Sequence, residues 1–163
     1  MPPDLQPPAH FHHYLERVAD FIKAQGVFGA VSLTADRLEA AAKASASPAA
    51  FRLDLDRGKP WVSLVTADRW LSQSIEADLV HTGDKLDELL AEELTDLNYS
   101  GPALPFEHYR SEDKLFTFRS PVPLTPEAMH PGDPRAVETA AVCLLAYEAC
   151  FRPLGDMEAD EDK

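Results

Sequence analysis

The chain has 163 residues, 45% apolar and 26% charged, with a formal net charge of −13. That is the size of one domain, able to bury roughly 70% of its unfolded surface without a disulfide or a metal. Its 15 basic residues are scattered among 28 acidic ones, which argues against direct nucleic-acid binding, since a phosphate-contacting surface needs clustered Lys and Arg. The charge fits a basic or nucleic-acid-associated protein partner. The start lacks a positive segment followed by an apolar run, and the longest apolar run, Ala140–Tyr147, is far below membrane-spanning length. A soluble, cytoplasmic protein with no membrane partner is therefore expected.

Residues 1–7 read as a flexible tail, 8–152 as a single α+β domain and 153–163 as an acidic disordered tail. Phe11, Leu15, Val18 and Ile22 recur at three- and four-residue steps, which predicts a helix from Pro8 to Gln25-Gly26. Val27–Leu33 is a short strand or a connection, and the alanine-rich pattern from Thr34 to Ala44 predicts a second helix. Phe51, Leu53 and Leu55 alternate with Arg52, Asp54 and Asp56 in a half-buried strand, turned by Arg57-Gly58-Lys59-Pro60 into a second strand, Trp61–Thr66. A third strand over Ser74–His81 completes a meander.

Leu86, Leu89, Leu90, Leu94 and Leu97 then form one helical stripe. Asp84, Asp87, Glu88, Glu92, Glu93 and Asp96 form its acidic back, assigned to electrostatic steering of a partner. Two strands follow, Phe106–Tyr109 and Lys114–Ser120, and Asp133 caps a last helix with Pro134 in its first turn. The last helix is apolar around most of its circumference, which predicts burial on two sides. Val142, Leu145, Tyr147 and Phe151 on it are the expected dimer or partner surface. Cys143 and Cys150 lie about 10 Å apart along this helix, too far to bond to each other. The expected fold is a twisted antiparallel sheet of about five strands, a three-strand meander, a helix and a two-strand hairpin, flanked by N-terminal, middle and C-terminal helices.

The segment Leu86–Leu124 carries Asp96-Leu97-Asn98, Pro105-Phe106-Glu107, Lys114-Leu115-Phe116-Thr117-Phe118-Arg119 and Pro121-Val122-Pro123-Leu124. With its leucine spacing it resembles the YbjN-like family of bacterial proteins, over roughly Phe51–Phe151. The resemblance implies a fold like that of the type III secretion chaperones, with helices on a twisted antiparallel sheet, and a dimer. It also implies a link to stress and regulatory responses, and it brings no catalytic residues. The alanine-rich segment Asp36–Ala44 and the histidine-bearing first helix depart from the family pattern.

No residue set names a reaction. His10 and His13 share a helix face, but no further ligands complete a zinc site. Asp54 with Asp56, and Glu107 with His108 and Glu112, read as outer-face charges of strands. Gly58 and the Gly26–Gly29 pair lack the density and the Lys-Ser/Thr of a phosphate loop. Trp61, Trp70, Tyr99, Phe106, Tyr109, Phe116 and Phe118 read as core and interface residues, since base-stacking platforms come with a basic groove. The expectation is a non-enzymatic homodimer without cofactor or metal that holds a segment of a client protein by strand addition or in a helix-lined groove. The alternatives are a small hydrolase or ligand-binding enzyme with a dispersed site, and a single-stranded nucleic-acid binder using the sheet aromatics.

Overall fold

A computed structural model describes residues 10–34, 36–43, 49–82, 85–99, 101–102, 104–111 and 114–152. The helices are α1 (Phe11–Gln25), α2 (Arg69–Thr82), α3 (Leu86–Asp96) and α4 (Pro134–Phe151), with a short 3-10 turn over Pro126–Ala128. The strands are β1 (Phe28–Leu33), β2 (Arg37–Ala42), β3 (Ala50–Asp56), β4 (Lys59–Thr66), β5 (Glu107–Arg110) and β6 (Phe116–Pro121). They form one six-stranded sheet in the order β1-β2-β3-β4-β6-β5, with every neighbouring pair antiparallel. The class is α+β, with one strand more than the sequence predicts and with a different strand set.

Two elements differ from the sequence reading. The alanine-rich segment is strand β2 and not a helix. Leu38 and Ala40 are fully buried, while Arg37 and Glu39 stand opposite Asp54 and Arg52 on β3. Alanine's helix preference is worth a few tenths of a kcal/mol per residue, and burial plus two cross-strand ion pairs outweigh it. Conversely, the expected strand Ser74–His81 lies in helix α2. Leu71 and Ile75 are buried one turn apart, and the Asp68 carboxylate accepts from the Leu71 N–H at 3.1 Å, capping the helix start.

Other turns follow the chemistry of their residues. Arg57 and Gly58 both have positive φ, 53° and 77°, the pair of left-handed residues that a two-residue hairpin between β3 and β4 requires. Gly26, at φ 70°, ends α1 in the left-handed conformation. The Asp133 side chain accepts from the Arg135 and Ala136 N–H groups, with Pro134 at the first turn of α4.

The strand alternation divides the sheet into two unlike faces. On one face Leu38, Phe51, Leu53, Val62, Leu64 and Phe118 are buried, and α4 lies against β3 and β4 with α1 beside it. Phe118 meets Phe151 with ring centroids 5.1 Å apart. Two hydroxyl bonds lock this layer: Tyr14 Oη donates to the Ala136 carbonyl at 2.6 Å, and Ser120 Oγ and Tyr147 Oη are 2.5 Å apart. Leu86, Leu90 and Leu94 fasten α3 by the stripe that the sequence predicts. Cys143 and Cys150 are free, buried thiols, each pushed up to about 12 by burial. Among the described residues no helix is long and apolar enough to cross a membrane. The expected tails, residues 1–7 and 153–163, lie outside the described residues.

Candidate functional site: the open sheet face and the β5 edge

Among the described residues, no helix lies on the second face of the sheet. Arg37 and Glu39 of β2, Arg52, Asp54 and Asp56 of β3, Trp61, Ser63 and Val65 of β4, Thr117 and Arg119 of β6, and Glu107 and Tyr109 of β5 share it by register. Its charges are paired across strands: Arg37 Nε with Asp54 at 3.1 Å, Arg52 Nε with Glu39 at 2.7 Å, and Arg119 with both Asp56 at 2.7 Å and Glu107 at 2.8 Å. Burial raises the Asp54 pKa against the pull of Arg37.

Arg119 is the hub of this face. Its guanidinium carbon lies 3.8 Å from the Trp61 ring and 5.1 Å from the Tyr109 ring, so one cation serves two aromatic rings and two carboxylates. Ser63, Val65 and Thr117 are buried although among the described residues no helix or strand covers them; they line the same concavity as these larger side chains. The concavity measures about 290 Å³. The Trp61 Nε1 atom is buried in it without a hydrogen-bond partner among the described residues.

At the end of the sheet β5 has a free edge among the described residues. The Ser111 N–H donates to the Leu115 carbonyl at 2.8 Å, in the same register that pairs Tyr109 with Thr117 and Glu107 with Arg119. Antiparallel ladders alternate, so the main-chain groups of Glu107 and Tyr109 point to β6, and those of His108 and Arg110 point outward. Phe106, just before this strand, and Tyr109 on it are 38% and 37% exposed. The other edge is different: the β1–β2 register shifts between Phe28 and Val31, a bulge of the kind that blunts an edge.

The His108 side chain fixes β5 from the helix-bearing side. Its ring stacks on Phe118 at 3.9 Å and 6°, Nε2 is 3.2 Å from Ser72 Oγ, and Nδ1 is 2.7 Å from Glu76 Oε1. Burial lowers its pKa, and Glu76 opposes that shift. The Ser–His–carboxylate order is that of a serine hydrolase, but the exposures are reversed. Ser72 is a buried residue of α2, 2% exposed, whereas the Glu76 side chain is 51% exposed. As built, the three side chains clamp β5 to α2.

The predicted partner surface requires correction. Val142, Leu145, Tyr147 and Phe151 are all buried within the chain itself. The apolar circumference of α4 is used between the sheet on one side and α1 and α3 on the others, so no second copy is needed to cover it. Val142 reaches only the floor of a concavity of about 460 Å³ between α4 and the loop after α3. The acidic back of α3 is present: Asp87, Glu88, Glu92 and Asp96 are exposed and Glu93 half-buried, its pKa raised by burial and then by Asp96. Asp84 and Glu112 lie outside the described residues.

The remaining candidates separate. His13 bonds Glu16 at 2.9 Å and His12 bonds the Thr34 carbonyl at 3.1 Å, while His10 lies against His130 with ring centroids 4.7 Å apart. Among the described residues no group of three or more His, Cys, Asp or Glu is placed to hold a metal. Of the aromatics, Phe118 is buried, Tyr99 half-buried, Phe116 lies under Arg110 at 5.5 Å, and Trp70 stands 76% exposed on α2. By helical spacing Trp70 faces away from Leu71 and Ile75. Sequence reasoning missed Ser72, Glu76 and the hub role of Arg119; Arg119 of β6 and Glu107 of β5 share a sheet face only through the β5–β6 register. Comparisons with family models, with curated proteins and with solved structures found no match.

Proposed function

We propose that the protein is a non-enzymatic protein-binding module that takes an extended segment of a client along the free edge of β5, as an added antiparallel strand. One observation carries this reading: the outward main-chain groups of His108 and Arg110 are flanked by exposed Phe106 and Tyr109, on the sheet edge that has no bulge. Main-chain bonds supply affinity there, and aromatic side chains supply the anchors that interfaces favour. The net charge of −13 steers basic clients toward it. The resemblance to YbjN-like proteins points the same way. A homodimer through α4 is not part of the reading.

Proline at an edge position whose N–H points outward removes a binding donor and leaves the internal ladder whole. Affinity capture from the native cell should therefore return the same proteins with the wild type and Arg110→Ala, and lose them with Arg110→Pro at unchanged melting temperature. Equal capture by all three contradicts the reading.

A second reading, acyl-transfer chemistry at Ser72, is favoured by the Ser72–His108–Glu76 line alone. Treatment with a fluorophosphonate followed by intact-mass measurement decides it. An adduct lost in Ser72→Ala supports an enzyme, and the absence of any adduct, expected for a buried hydroxyl, removes that reading.

A further inference from the structure

A strand laid along β5 sends successive side chains to opposite faces of the sheet. Each face offers it a half-exposed carboxylate. On the open face stands Glu107, whose side chain is 54% exposed. On the helix-bearing face stands Glu76, 51% exposed and 2.7 Å from the His108 ring.

Neither carboxylate is neutralised. Arg119 is shared between Glu107 and Asp56, one positive charge against two negative ones. Among the described residues His108 is the ion-pair partner of Glu76, and burial favours the neutral form of its ring. Each face of β5 therefore keeps about one uncompensated negative charge beside the added strand. Arg110, at the end of the strand, lies over Phe116 on the helix-bearing side.

We propose that the segment bound at β5 carries two adjacent basic residues, one reaching Glu76 and the next reaching Glu107. The inference rests on the strand-addition reading of β5. In an antiparallel partner the residue facing His108 points to Glu76, and the residue that follows it faces Glu107 on the open side. The residue facing Arg110 comes earlier in the partner and is apolar or acidic. The binding sequence therefore reads apolar or acidic, then any residue, then two consecutive Lys or Arg.

A fluorescein-labelled, end-blocked peptide Ser-Thr-Val-Thr-Lys-Lys-Val-Thr is the probe, read by anisotropy. Its relatives carry Lys-Val-Lys, which sends both cations to one face, or Gln-Gln in place of Lys-Lys. The adjacent pair should bind tightest. Glu76→Gln and Glu107→Gln should each weaken it about threefold and together about tenfold, as half-exposed charge pairs do, without altering binding of the Gln-Gln peptide. Equal binding of all peptides, or unchanged affinity in both Gln variants while Arg110→Pro still abolishes binding, overturns the dibasic specificity and leaves the edge reading standing. Binding that survives Arg110→Pro overturns both.

Discussion

The two faces of this one sheet are made by alternate residues of the same strands, yet they do different work. On the helix-bearing face Phe51, Leu53, Val62, Leu64 and Phe118 disappear under α1 and α4. On the other, Arg37, Arg52 and Arg119 are held by carboxylates and Trp61, with no covering element among the described residues. Stability resides in the first face, where apolar area leaves water. The second adds little to it, since exposed ion pairs are worth only about 0–1 kcal/mol each. A side chain that sequence spacing marks as a partner surface, such as Phe151, belongs to the first group.

The largest effect that separates the faces should come from Phe151→Ala. It removes a fully buried ring packed on Phe118 and Tyr147, at a cost of roughly 3–5 kcal/mol. Urea unfolding should show the loss, and no change in association state should accompany it. Were Phe151 instead an interface anchor, the effect would depend on protein concentration. Tyr147→Phe comes next. It leaves the buried Ser120 hydroxyl without its 2.5 Å partner, at a cost of about 1–3 kcal/mol.

Arg119→Ala, on the open face, should cost about 1–2 kcal/mol, from its stacking and its partly exposed ion pairs. It should also raise Trp61 accessibility to acrylamide, whereas Tyr147→Phe should not. Smallest is the α3 surface, where Glu92→Gln should stay within about 0.5 kcal/mol of the wild type and act only on the salt dependence of partner association.

The His108 clamp gives the comparison a pH signature. Its folded-state pKa is lowered from 6.5, mainly by burial, so the unfolded chain takes up the proton more readily. Its contribution to stability is complete above about pH 6.5 and is lost as the pH falls below that value. Urea midpoints measured from pH 7.5 down to 5.5 should fall more steeply for the wild type than for His108→Gln. Parallel profiles would show that the ring is solvated.

Much of the covered face is legible in the sequence. The leucine stripe of α3, the Asp133-Pro134 start of α4 and the β3–β4 hairpin follow from local rules of spacing, capping and turns. The errors occur where two periods fit the same residues. Ile75, Ala77 and Leu79 alternate as a strand does, while Leu71, Ile75 and Leu79 also repeat at helical steps; the Asp68 cap decides in favour of the helix. In Arg37–Ala42 the alanines suggest a helix, and the Arg37–Asp54 and Glu39–Arg52 pairings that decide for a strand lie on a neighbouring strand. The site is less legible still. Ser72 and His108 are 36 residues apart and meet only through the fold, and the free edge of β5 depends on the strand order, which local pattern does not specify.

Amide hydrogen exchange on β5, with and without the dibasic peptide, tests the central claim most directly. The amides of Glu107 and Tyr109, bonded to β6, should be protected in both states, whereas those of His108 and Arg110 should exchange freely alone and gain protection on binding. Unchanged exchange at His108 and Arg110 under saturating peptide, or protection gained on α3 or α4 instead, would contradict the account.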